Sequence, residues 1–322
     1  PPRSPCPPSS DIWCRMERRD LLKLATAAPL LSLGTKAHGM TAQPDFTFAF
    51  VGDCHIRPEL DADRACAMCF EQISASNVDF VVQGGDMIED ALEASRERAT
   101  MLMDLYQRTE RQHLRKPVRH VLGNHDCLGV FAKSGIAPTA PDFGKHFYID
   151  RFGPTYYSFD HKGVHFVVLD SVGITADRNY EGRVDAAQLD WLRTDLAAQP
   201  QGARIIAITH IPLVTAMYCY EPESWLNTPH NWTFVTNGRE VLRILSEHGV
   251  MAVLQAHSHV YEWIELNGMS FITTGAVAGA DWRGSFLGTP EGYTEITLSG
   301  RKVESRYRTY GFTSISRKDV PI

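Results

Sequence analysis

Five apolar, β-branched runs in this chain end in residue types that bind metals. Asp53 and His55 follow "FTFAFV", Asp86 follows "FVVQG", Asn124 and His125 follow "VRHVLG", His210 follows "RIIAIT", and His257 and His259 follow "MAVLQ". Alternating strand and helix patterns build open α/β sheets, and such sheets bind ligands just outside the carboxyl ends of their strands. The five termini, distant in sequence, are therefore expected to converge on one site.

The organisation around these runs supports that expectation. "FTFAFVGD" leads into a helix-patterned segment over 61–76, "FVVQGGD" into another over 89–111, and "VRHVLGNHD" into a looser region with several Gly and Pro. "YYSFDHKGVHFVVLDS" predicts a hairpin turning at Lys162-Gly163. The stretch 185–199 reads as an amphipathic helix with Leu189, Leu192 and Leu196 on one face. Further hairpins are expected at Asn267-Gly268 and Ser299-Gly300. This mixture predicts an α/β fold with two mixed sheets packed together and helices outside.

In "AHSH", side chains two apart in extended backbone point the same way, so His257 and His259 are expected to reach toward one point. Glycines at 52, 84, 85 and 123 each lie just before a carboxylate or amide candidate, where a crowded ion site needs a sharp exit and close backbone approach. The seven cysteines are odd in number and lack paired spacing, so buried thiols are expected, Cys54 and Cys127 included, and no structural zinc knuckle.

At 322 residues with a net charge of -6 and no basic block in the body, the chain is long enough for a full core and lacks the basic face of a nucleic-acid binder. Residues 16–39 contain Arg18-Arg19, "DLLK", a short apolar stretch broken by Pro29, and small residues at "AHG". The apolar part is too short to anchor in a bilayer, so a twin-arginine-type export signal is expected, implying a periplasmic or secreted protein, with cytoplasmic residence as the alternative. The Pro- and Ser-rich residues 1–15 read as a disordered leader, and the working domain is expected over 40–322.

"GDCH", "GGD", "GNHD", a lone "TH" and "AHSH", in this order, resemble the signature of the calcineurin-like metallophosphoesterases. The resemblance implies a four-layer α/β/β/α sandwich and a binuclear centre in which Asp53, His55, Asp86 and His259 bind one metal. Asp86, Asn124, His210 and His257 bind the other, with Asp86 bridging. The ions implied are divalent or mixed-valence Mn, Fe, Zn or Co, which suit mixed carboxylate, amide and imidazole donors. Such a pair lowers the pKa of a bridging water and clamps phosphoryl oxygens. His125 is then placed beside the substrate to assist the leaving oxygen, with Asp126 expected to orient its ring. Where this family usually has glycine before the paired histidines, the chain has Ala256, so the turn there must be built from ordinary angles.

Within the family, GDxH and GNH[DE] look most like bacterial class III cyclic-nucleotide phosphodiesterases and glycerophosphodiesterases. His55 and Glu89 stand where the purple acid phosphatases have glycine and tyrosine. The expected partner is a small-molecule phosphoester, diester before monoester, with no stable nucleic-acid complex. The other classes open are an exported nuclease and a metal-free interaction scaffold. Selectivity is expected from Arg57, the loop 218–232 and "DWRG" at 281–284, whose aromatics could stack on a base or cover a leaving group and whose arginines could pair a phosphate oxygen.

Overall fold

A computed structural model of the chain describes residues 45–219 and 230–321. The expected leader and export signal, and positions 220–229 of the 218–232 loop, lie outside the described residues. No helix among those described is long and apolar enough to cross a membrane.

Two mixed sheets carry the fold. The first joins β1 (Phe46–Val51), β2 (Val81–Gln83) and β3 (Val118–His120), mutually parallel, to an antiparallel pair, β12 (Tyr293–Ser299) and β13 (Lys302–Arg308). Its order is β13-β12-β1-β2-β3. The second contains β4 (Tyr157–His161), β5 (Val164–Leu169), β8 (Arg204–Thr209), β9 (Ala252–Gln255), β10 (Glu262–Leu266) and β11 (Met269–Thr273). Its order is β10-β11-β9-β8-β5-β4, with β5, β8, β9 and β11 parallel. A small hairpin of β6 (Val172–Ile174) and β7 (Tyr180–Gly182), which the sequence pattern did not announce, stands apart from both. The five runs with metal-binding termini are β1, β2, β3, β8 and β9, so each sheet delivers its candidates at the carboxyl ends of parallel strands.

Side-chain alternation makes the layers. In β1, Phe46, Phe48 and Phe50 enter a cluster shared with Ile206, Ile208, Leu254 and Ile272 of the other sheet, while Ala49 and Val51 join the helix-facing cluster. In β8, Ile206 and Ile208 face the first cluster and Ile205 and Ala207 the second. Each sheet is thus apolar on both faces, one against its partner sheet and one against helices. Between the sheets, Phe48 stacks on Phe80 at 4.8 Å and meets Phe166 edge-on at 5.7 Å. The helices are α1 (Ala62–Ala75), α2 (Arg96–His113), α3 (His146–Phe152), α4 (Ala186–Ala197) and α5 (Gly238–Glu247). Leu189, Leu192 and Leu196 of α4 are buried as their spacing required.

Two boundaries differ from the sequence reading. Residues 89–95 do not open α2: the Asp90 carboxylate accepts hydrogen bonds from the backbone N–H groups of Leu92, Glu93 and Ala94, closing a loop, and Ser95 caps the helix by accepting from Arg98 N–H at 3.3 Å. Local side-chain bonding of this kind outcompetes helix propensity. The last hairpin turns at Gly300-Arg301, one residue later than expected, because Ser299 pairs with Lys302.

Candidate metal centre

The strands stop short of the ligand candidates. β1 ends at Val51, β2 at Gln83 and β9 at Gln255, and each gives way to a tight loop. Asp53, His55, Asp86, His257 and His259 all have left-handed backbone, with φ of 54°, 40°, 53°, 71° and 59°. Such angles are unfavourable for residues with a Cβ and persist where the surroundings enforce them. Here they do: Asp53 N–H donates to the Gly85 carbonyl and His55 N–H to the Asp86 carbonyl, stitching the first loop to the second. The same-side argument from extended backbone therefore fails for His257 and His259, although both rings do reach the cluster. Ala256 lies outside the left-handed region, as expected; the histidines after it carry the unusual angles. Gly123 is needed for closeness, since a Cβ there would collide with the backbone nitrogen and carboxylate of Asp86.

Three overlapping groups result: Asp53, His55 and His259; His55, Asp86 and His125; Asp86, His210 and His257, the donor atoms of each lying within 4.8 Å of one another. In one half His55 Nε2 faces His259 Nε2 at 3.1 Å, and Asp53 Oδ1 lies 3.6 Å from His259 Nε2. In the other His210 Nε2 lies 3.0 Å from Asn124 Oδ1, 3.2 Å from Asp86 Oδ2 and 3.2 Å from His257 Nδ1. Asp86 joins the halves, with Oδ2 3.8 Å from His55 Nε2.

The second nitrogens decide what these atoms are. His210 Nδ1–H donates to the Gly84 carbonyl at 2.8 Å, His257 Nε2–H to the Trp232 carbonyl at 2.8 Å, and His259 Nδ1–H to the Gly279 carbonyl at 2.7 Å. With a hydrogen on the outer nitrogen, each ring turns its inner nitrogen toward the cluster, where it offers a lone pair whenever it carries no second proton. Lone pairs of His210, Asn124, Asp86 and His257 converging at such distances repel unless a cation lies among them. Backbone carbonyls fixing the outer nitrogen are the usual support of metal-bound imidazole. The Asn124 amide nitrogen is buried without a hydrogen-bond partner among the described residues, so its carbonyl oxygen is the atom committed to the cluster. The donor set is able to bind a dimetal centre.

The electrostatics agree. Burial, then the neighbouring His125, pushes His55 down to about 3, and burial, then His210, does the same to His257, so both are neutral ligands near pH 7. For Asp86 burial acts upward, but His210 and then His125 hold its carboxyl well below the usual range. Burial would lower His210, but Asp86 pulls it up to about 9: a proton is one cation that answers the converging lone pairs, and a metal ion is another.

Asp126, expected to orient the His125 ring, does something else. Its Oδ2 accepts from the backbone N–H groups of Asp86 and Gly123, both at 3.0 Å, and its Oδ1 from Met87 N–H at 3.0 Å. It clamps the Asp86 loop onto the Asn124 loop. The carboxylate beside His125 is Asp90, with Oδ1 3.3 Å from His125 Nδ1, an ion-pair distance without hydrogen-bond alignment. Burial opposes protonation of His125, but Asp86 and then Asp90 raise it to about 9. Asp90 sits four residues after Asp86, and nothing in the sequence pattern separated it from the acidic neighbours around it.

The sequence model of the family described as calcineurin-like phosphoesterase matches residues 46–261, which include every ligand candidate. The chain belongs to this family. Comparison with curated protein sequences finds no significant match. Among solved structures, a dimetal phosphatase from Danio rerio is similar at 16% identity and a TM-score of 0.57, over 82% of this chain and 96% of that one. A PhoD structure is similar at 10% identity and a TM-score of 0.55, over 87% and 74%. GAP50, the anchor in the inner membrane complex of Plasmodium, is similar at 19% and 0.54, over 86% and 90%. At these identities the likeness concerns the fold. Family membership and the clustered donors make this calcineurin-like phosphoesterase a metal-dependent phosphoester hydrolase.

In this family member the metal-ligand groups form the floor of a cavity of about 740 Å³ that includes His55, Asp86, His257 and His259. Arg57 lines it, but Nη1 is bound to Glu89 at 2.6 Å and Nη2 to the Asp281 carbonyl at 2.7 Å. Trp282, expected to be available for stacking, is instead fully buried and donates from Nε1 to the His55 carbonyl at 2.9 Å, bracing a ligand loop. Trp232 and Tyr180 do line the cavity, stacked on each other at 5.8 Å. Cys54 and Cys127 are buried within the core.

Proposed function

We propose that this phosphoesterase hydrolyses phosphodiesters of small molecules, with phosphomonoesters as the second substrate class. The observation that carries the reading is the set of overlapping His/Asp groups sharing Asp86 and His55 at the bottom of one cavity. Asp53, His55, Asp86 and His259 would hold one ion, and Asp86, Asn124, His210 and His257 the other. When bound, such a pair supplies Lewis acidity toward phosphoryl oxygens and water of lowered pKa.

The chain's own residues supply the rest. His125 lines the cavity, keeps about a third of its side chain exposed, and stands between the ligand floor and Asp90. It is the group in position to give a proton to the leaving oxygen, with Asp90 stabilising the charged imidazole beforehand. A cavity of this volume suits a ligand of ordinary small-molecule size. The diester preference rests on the likeness of GDxH and GNHD to phosphodiesterase members of the family, and the small-molecule preference also on the net charge of -6. The twin-arginine-type segment at 16–39 supports export to the periplasm, with cytoplasmic residence as the alternative; the N-terminal sequence of protein isolated from the periplasm tests it.

The test of the enzymatic reading is direct. Protein loaded with Mn and offered bis(4-nitrophenyl) phosphate and 4-nitrophenyl phosphate is expected to release nitrophenol from both, faster from the diester. His125→Ala is expected to keep its metal by elemental analysis and to lose about 100-fold or more in turnover on esters with poor leaving groups. Equal turnover in that variant removes His125 from the mechanism; no hydrolysis by the metal-loaded parent overturns the function.

A further inference from the structure

We propose that the C-terminal segment around Lys318 forms a distal anion subsite of the catalytic cavity, so that the preferred substrates are phosphoesters carrying a second negatively charged group. The proposal rests on the phosphoesterase reading above and names the substrate class within it.

Among the described residues two arginines and one lysine line the cavity, and they are not equivalent. Arg57 has both terminal nitrogens engaged by Glu89 and the Asp281 carbonyl. Arg283 spends Nη1 on the Ser316 hydroxyl at 3.1 Å, the one side-chain hydrogen bond it makes among the described residues. Lys318 has no carboxylate within ion-pair distance and no side-chain hydrogen bond among the described residues. An exposed lysine of this kind is ordinarily a solvated surface charge. What distinguishes this one is that its backbone is fixed against the cavity wall.

The fixing is specific. Lys318 N–H donates to the Arg283 carbonyl, Val320 N–H to the Ser285 carbonyl at 2.8 Å, and Leu287 N–H to the Val320 carbonyl at 2.8 Å. This is strand-like pairing, with a parallel bridge between Phe286 and Val320. Alternation along such a segment sends neighbouring side chains to opposite sides. Lys318 and Val320 both line the cavity, whereas the Asp319 carboxylate between them is bound by Ser285 N–H at 2.8 Å, Ser285 Oγ–H at 2.9 Å and Arg317 Nε–H at 2.8 Å. The one acid that would neutralise Lys318 from its own segment is thus used as the fastening on the other side.

The same fastening sets the distance to the chemistry. Phe286, in the middle of the paired segment, lies edge-on to the ligand-candidate ring of His259 with centroids 5.9 Å apart. The carboxylates facing the cavity are Asp86 on the floor, Glu89 bound to Arg57 and Arg98, and Asp281 beside His55 and His259. Each belongs to the floor or to an arginine. A phosphoester reaching the floor therefore extends past Phe286 toward a wall whose open charges are both positive, Arg283 and Lys318. A carboxylate or second phosphate there gains charge-assisted hydrogen bonds that a neutral group does not.

The experiment uses two non-hydrolysable ligands that differ in one group. Benzylphosphonate and 4-carboxybenzylphosphonate are titrated calorimetrically into the Mn-loaded protein, and hydrolysis of phenyl phosphate and 4-carboxyphenyl phosphate is followed in parallel. The carboxylated phosphonate is expected to bind about tenfold more tightly, with the advantage shrinking as salt is raised. Lys318→Ala is expected to bring the affinity ratio close to one, and Lys318→Glu to invert it. For the esters the same ratio is expected in kcat/KM, carried by KM. Equal affinities in the parent protein, or a ratio that survives Lys318→Glu, overturn the subsite. If neither ester is hydrolysed, the phosphomonoester part of the functional reading fails, while the phosphonate pair still decides whether the anion site exists.

Discussion

The floor and the wall of the cavity are built on opposite plans. On the floor, Asp53, Asp86, Asn124 and His210 are almost fully buried, five ligand candidates have left-handed backbone, and cross-loop hydrogen bonds stitch the Asp53–His55 loop to Gly85 and Asp86. The outer nitrogens of three of the histidines are taken by carbonyls. On the wall, Arg283 and Lys318 are exposed and their side chains make one hydrogen bond between them among the described residues. Strain and redundancy place donor atoms to a fraction of an ångström, which an ion demands; a partly free ammonium adapts to whatever anion arrives. The floor reads as chemistry common to many substrates, and the wall as selection among them.

Removing the residue that joins the two halves of the floor should have the largest effect. Asp86→Ala is expected to lose at least one ion per chain by elemental analysis and to depress turnover by about 100-fold or more, since the carboxylate proposed to serve both ions disappears. Full metal content in that variant would break the contrast at its root, because the floor would then not depend on its central ligand.

Asp126→Ala tests whether the floor is over-determined. Three backbone N–H groups lose their acceptor, which should cost about 1–3 kcal/mol of stability and weaken metal affinity by about 10–100-fold, with no direct contact to substrate lost. Thermal unfolding and metal titration read the two effects separately. A variant as stable and as metal-avid as the parent would show that the Asp86 and Asn124 loops do not need the clamp.

The smallest expected effect belongs to Trp282→Phe. It keeps most of the buried ring but removes the Nε1–H bond to the His55 carbonyl, leaving that oxygen unpaired at a cost of about 1 kcal/mol, visible as a modest fall in unfolding temperature. If turnover instead collapsed, Trp282 would belong to the chemistry rather than to the bracing of a ligand loop.

Much of the floor was legible in the chain because its information is local. A strand announces itself by β-branched apolar runs, and Asp, Asn or His after such a run is visible whatever the rest of the chain does. The core followed for the same reason: Leu189, Leu192 and Leu196 declare a helix face by spacing alone. Asp126 was misread because adjacency in "NHD" suggested a partnership with His125, whereas burial sends its carboxylate to the nearest unsatisfied N–H groups, those of Asp86, Met87 and Gly123. Trp282 gave no sign of whether its ring would face solvent or core.

By itself the sequence determined which donors exist, their order along parallel strands, and the family they belong to. Only the tertiary structure decided that the ligand loops take left-handed backbone, that Asp90 is the acid next to His125, and that Lys318 lines the same cavity as residues more than two hundred positions earlier. The reason is physical: donor chemistry is a property of a residue, while lone-pair direction, loop strain and the sharing of charge are properties of contacts that form only when both sheets have closed on each other.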